Sequence, residues 1–110
     1  MRKYLVTYHA PSEILKREAE DPSDTEGGDM NAWEAWAQEC GAALVEFGSP
    51  AANGWRLSKN GQLENSTSDL CGYSIITAEN PDDAAELMRK NPHLNWDPAC
   101  AVEIHEILSQ

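Results

Sequence analysis

The chain opens with strict alternation. In KYLVTYH (residues 3–9), Tyr4, Val6 and Tyr8 alternate with Leu5, Thr7 and His9. A period of two among aromatic and β-branched residues predicts a strand, which Ala10 and Pro11 end. The next stretch, up to Gly28, is charged and polar. Ile14 and Leu15 can anchor a short helical turn within SEILKREAE, and residues 16–28, with Pro22, Gly27 and Gly28, are expected to form a mobile loop. The period then changes. After Asp29, a candidate N-cap, Met30, Trp33, Ala37, Cys40 and Leu44 recur at helical spacing, so residues 30–42 predict an amphipathic helix.

ALVEFGSP (43–50) predicts a second strand, stopped by Gly48, Ser49 and Pro50. Two short, partly alternating runs follow around Asn60-Gly61, which predicts an exposed hairpin with a type I′ turn. In CGYSIITA (71–78), Cys71, Tyr73, Ile75 and Thr77 take one face and Gly72, Ser74, Ile76 and Ala78 the other. Both sets are mostly apolar or small, so this strand is expected to be central. The helix after it is marked at both ends. Asn80 caps it and Pro81 takes the first turn. Asp82 and Asp83 complement the positive end of the dipole, Arg89 and Lys90 the negative end, and Pro92 forbids continuation. NPHLNWDP reads as an ordered loop. AVEIHEIL (101–108) is the last strand, with Val102, Ile104 and Leu108 facing one way.

Without the hairpin, the order is βαββαβ, the α+β, ferredoxin-like arrangement of one antiparallel sheet with helices on one face. The other face then needs a cover, and a second copy of the chain is the simplest one. The expected assembly is a homodimer with sheet facing sheet, a dimeric α+β barrel.

Composition narrows the function. A chain of 110 residues, 41% hydrophobic, suits a single domain spanning 1–110. Eight Lys and Arg against nineteen Asp and Glu give a net charge of −11, which disfavours nucleic acid and anionic membrane surfaces as partners. No stretch approaches a membrane span. The apolar run near the start is only Leu5 and Val6, too short for a signal peptide, so a cytoplasmic protein is expected. Cys40, Cys71 and Cys100 lack CxxC or zinc-type spacing and read as buried thiols; no metal and no cofactor is expected.

GYSIITAENPDDAAELMRKNPHL followed by AVEIHEI resembles the YCII-related family, also called the DGPF-domain family. KYLVTYHAP and the helix leading into CGAALVEFGSP fit the same pattern, so the likeness spans most of the chain. It implies the dimeric α+β barrel and a cleft between helices and sheet in each subunit. For some members it implies enzymes of the dehydrochlorinase or hydrolase kind. One branch carries a His–Asp pair, with the Asp just before a Pro at the end of the second helix. Here that position holds Asn91, before Pro92, and the expected place of the histidine holds Asn31, Ala32 and Trp33. ENSTSDL stands where the DGPF signature is expected.

Two readings follow. In the first, the chain is a homodimeric small-molecule-binding or accessory domain, with Trp33, Trp36, Tyr73 and His93 around the ligand. In the second, it is a small lyase, hydrolase or dehydrochlorinase-like enzyme. His93, oriented by Asp97, or else His9, would then act as general base, since an imidazole titrates near working pH.

Overall fold

The computed structural model describes residues 1–13 and 30–109. Of the helical turn expected over SEILKREAE, Ser12 and Glu13 are described and helical; its remainder, the loop expected at residues 16–28 and the Asp29 cap lie outside the described residues. The described elements are β1 (Arg2–His9), α1 (Met30–Cys40), a 3-10 turn (Gly41–Ala43), β2 (Leu44–Pro50), β3 (Trp55–Leu57), β4 (Leu63–Asn65), β5 (Leu70–Ala78), α2 (Pro81–Arg89), α3 (Pro92–Trp96) and β6 (Ala101–Glu106). The main sheet has four strands in the order β2-β5-β1-β6, antiparallel throughout. That is the ferredoxin-like βαββαβ order, with β3 and β4 forming a separate two-stranded hairpin.

Alternation in β1 and β5 decides the layers. Tyr4, Val6 and Tyr8 join Ile76 and Ala78 on the inner face, where Trp36 of α1 and Ala84 and Met88 of α2 complete the core. Val102 and Ile104 of β6 pack at its margin. Ile76 is 0% exposed, while its neighbour Ile75 is half-buried and points to the outer face with Leu5 and Thr77. A smaller cluster of Ala10, Trp96 and Cys100, with Cys71 beside it, closes one end.

Four expectations need correction. α1 stops at Cys40, because the chain tightens into a 3-10 turn at Gly41, whose φ is +58°. The hairpin loop is not a two-residue I′ turn. Ser58 N donates to Gln62 O (3.2 Å) and Gly61 N to Ser58 O (2.9 Å), and among the described residues of the loop only Gly61 takes positive φ, at 82°. This is the three-residue loop in which a turn is followed by a left-handed glycine. NPHLNWDP contains the one-turn helix α3, because Asn91-Pro92 repeats the cap-and-proline start of Asn80-Pro81. Finally, β6 ends at Glu106, so Leu108 lies beyond the strand and is exposed.

β2 is an irregular edge strand, with register shifts on both sides of Glu46. Gly48 makes this possible. Its φ is +84°, and a Cβ there would sit 1.7 Å from the backbone oxygen of Tyr73. Gly48→Ala is therefore expected to cost about 3 kcal/mol or more, through both the φ strain and the backbone clash. Denaturant unfolding of the variant against Gly61→Ala checks this. The latter carries only the φ strain, because nothing lies within 4 Å of a Cβ at Gly61.

Candidate functional site

The inner face carries a buried polar chain. Asn91 caps α3 by accepting the amide of His93 at Oδ1 (2.8 Å), and its Nδ2 donates to the Tyr8 hydroxyl (3.3 Å). Ser74 Oγ donates to the Phe47 carbonyl (2.6 Å), which uses its one proton. The 2.7 Å bond between Tyr8 and Ser74 must then run from the tyrosine to the serine. Burial pushes the Tyr8 phenol up to about 12, against the opposing effect of its bonds to Ser74 and Asn91. Tyr8 is thus a donor throughout the neutral range.

His93 belongs to the same layer. It is 3% exposed, and its ring lies 5.3 Å from Tyr8 and 6.1 Å from Trp96. Nε2 donates to the carbonyl of His9 (2.8 Å). Burial lowers the His93 pKa, with backbone hydrogen bonds at His9 and Ala101 acting against it. The ring is neutral and pins α3 to the end of the β1–β6 ladder, where His9 and Ala101 face each other. Asp97 Oδ1 accepts the amide of Ala99 (2.9 Å), closing the turn after α3. The His93 ring thus donates to the His9 carbonyl, and the Asp97 carboxylate accepts from a turn amide.

Of the four residues expected around a ligand, Trp33, Trp36 and His93 lie on the helix side of the sheet and Tyr73 on the other. Trp33 stands edge-on to Tyr8 (5.3 Å) and to Trp36 (5.9 Å), on the helix side. Trp36 is buried and donates Nε1 to the Leu87 carbonyl (3.0 Å). Tyr73 lies across the sheet from them and donates to Glu46 (2.8 Å), whose hydrogen bond and charge raise the tyrosine's pKa. Of the four, Trp36 lines an open cleft of about 510 Å³ between α1, α2 and the end of β5. Leu87 and Ala43 give this cleft apolar wall, and Glu79, Asp83 and Glu86 an acidic rim. Lys90 is held by Glu39 at 2.9 Å, which raises its pKa. Burial, followed by the charge of Glu39, pushes the Cys40 thiol of the cleft up, so it is not a thiolate.

The outer face brings His9 and Tyr73 together instead, since Thr7, one step along from His9, pairs with Tyr73. His9 Nδ1 lies 2.7 Å from Asp69 Oδ1 and Nε2 lies 2.8 Å from Thr7 Oγ1. Glu103 Oε1 is 3.9 Å from Nε2 and 3.1 Å from His105 Nε2. Asp69 was not legible as a site residue. It precedes β5 in a run of serines without period, and reaches His9 only because the β1–β5 register shifts between Tyr8 and His9. Among the described residues, no cluster of three or more His, Cys, Asp and Glu could hold a metal ion.

One solved structure similar to this chain is 5-chloro-2-hydroxyhydroquinone dehydrochlorinase (TftG) from Burkholderia phenoliruptrix AC1100, in complex with 2,5-dihydroxybenzoquinone. The TM-score is 0.51 at 14% identity, over 92% of this chain and 90% of that one. The likeness is one of fold. No family model matches the chain, and no curated protein matches it.

The buried neutral His93 sets a pH dependence. Its pKa in the fold lies below the ordinary 6.5, so the unfolded chain takes the proton more readily. The stability it contributes is complete above the unfolded value and is lost as the pH falls from there through the folded value. Thermal melts between about pH 7.5 and pH 5 should show a steeper loss for the native protein than for His93→Gln. His93→Leu should lose about 1–3 kcal/mol at neutral pH, because the His9 carbonyl is left without its donor.

Proposed function

We propose that the chain is a small-molecule-binding domain of the YCII-like kind, working as a homodimer, with its ligand in the cleft between α1, α2 and β5. The observation that carries this reading is the cleft itself. Its volume of about 510 Å³ falls within the range of small-ligand sites, and it joins an apolar wall to a few polar groups. Trp36 is the ligand-facing residue kept from those named by the sequence. The solved neighbour's complex with a small quinone agrees with this class of ligand.

Binding rather than catalysis is favoured on the helix side by Asn91. It stands where the family's pair has its carboxylate, and its amide is spent on structure, accepting from His93 N and donating to Tyr8. An amide so engaged offers no base. His93 is likewise committed to a strand carbonyl.

Fragment screening by ligand-observed NMR tests the site. Binders should shift the Trp36 indole N–H and the amides near Leu87, and Ala43→Trp, which fills the cleft, should abolish these shifts. Binders that leave those signals in place, or survive Ala43→Trp, would refute the reading.

The homodimer is tested separately. The half-buried Ile75 faces outward beside Leu5 and Thr77, while Ile76 lies in the core. Light scattering should give a dimer mass for the native chain and a folded monomer for Ile75→Asp. Ile76→Asp should not fold, since an unpaired charge would enter the apolar interior.

A further inference from the structure

The His9 cluster lies on the other side of the sheet from the cleft and has no part in it. We infer that His9 and Asp69 form a proton-transfer site on the outer face, in which Asp69 positions the ring and Nε2 accepts a proton from a neutral or cationic small molecule.

The assignment starts from the ring's two partners. A carboxylate oxygen accepts only, so the 2.7 Å bond to Asp69 puts the proton on Nδ1. Nε2 then carries the lone pair and accepts the Thr7 hydroxyl at 2.8 Å. This is the tautomer that a general base needs, fixed from behind by a carboxylate. A substrate takes the place of the Thr7 hydroxyl at Nε2.

Backbone structure holds the pair from both sides. Ala10 N donates to Asp69 O (3.0 Å), fixing the aspartate's main chain at the register shift. Ser66 Oγ accepts the Ser68 amide (3.0 Å) and Ser68 Oγ the Leu70 amide (3.2 Å), so the segment leading to Asp69 is closed turn by turn. On the far side of the strand, His93 holds the His9 carbonyl. Local irregularities of this sort recur beside active sites because they re-aim a side chain.

Stability does not account for the arrangement. The Asp69 side chain is 57% exposed, and a carboxylate contact so open to water contributes little. The His9 side chain, by contrast, is only 13% exposed, so its ring is held, and the exposed Asp69 and Glu103 flank it at the opposite end of β1 from Leu5 and Ile75, where pairing with a second copy is proposed. Beside it on the same face lies Thr7, with Tyr73 across from Thr7 on β5. Asp69 and Glu103 beside the base, and a net charge of −11, disfavour anionic substrates.

The test uses 5-nitrobenzisoxazole, a neutral probe with one acidic C–H. The base takes that proton, the C–H electron pair forms the nitrile and the N–O bond breaks. The electrons of that bond leave on the phenolate, and no co-reactant is required. The native protein should convert it at least about tenfold faster than equimolar imidazole. His9→Gln should fall to the solution rate, and Asp69→Asn should lose about tenfold or more. Nitrogen NMR should show the Nδ1–H tautomer of His9 in the native protein and its loss in Asp69→Asn, a change that a merely structural aspartate would not produce together with the rate. Thr7→Val should keep the reaction, because it leaves Nε2 in place. A native rate no better than imidazole, or an unchanged rate in folded His9→Gln, would overturn the inference. Should His9→Gln not fold, Asp69→Asn decides, since its exposed side chain contributes little to stability.

Discussion

The structure depends on one hydroxyl proton, that of Tyr8. It points to Ser74 because Ser74 has already given its own proton to the Phe47 carbonyl, and it leaves the phenol oxygen open to the Asn91 amide. One directed line of three bonds thus fastens β1 to β5, β5 to β2, and the start of α3 to β1. Tyr8, Ser74 and Asn91 are buried, so a missing partner would cost the desolvation of whatever remained. Around that line the aromatic rings of Trp33, Phe47 and His93 gather within 5–6 Å of their neighbours.

Because α3 is fastened there, its histidine meets the strand end, and His93 and His9 differ in kind. His93 holds the main chain of His9, and the side chain of His9 emerges on the opposite face beside Asp69. The sheet thereby separates a rigid, apolar-packed side from a side on which carboxylates gather around His9. A position that the sequence leaves as a lone histidine acquires its meaning from which side of the sheet it occupies.

The fold was largely legible because its signals are local. Alternation in β1 and β5 and the Asn80-Pro81 cap each act within a few residues, and the strand order follows from element order. What escaped was decided at longer range. Asn91-Pro92 carried the same start signal as Asn80-Pro81, yet following a helix it read as a stop. Tyr73 shares its strand's other face with Ile75, and period two alone cannot say which face meets the helices. Asp69 shows no sign of its role, since a register shift in β1 and β5 brings it to His9. Of the site residues named from the sequence, His93 and Trp36 proved to be structurally engaged, and the carboxylate that meets His9 is one that no motif marked.

The position of β1 has a consequence for how the chain is made. β1 pairs with β5 on one side and β6 on the other, never with the strand that follows it in sequence. Arg2 meets Glu106 across 104 positions, and Ile107 N donates to the Lys3 carbonyl at 2.8 Å. A ribosome must therefore release the chain through β5 before one edge of β1 is satisfied, and through β6 before the other, while the apolar side of Tyr4, Val6 and Tyr8 waits unpaired. Such distant pairing slows folding relative to helical proteins of the same size, and leaves the nascent strand in need of shelter until β5 and β6 have emerged.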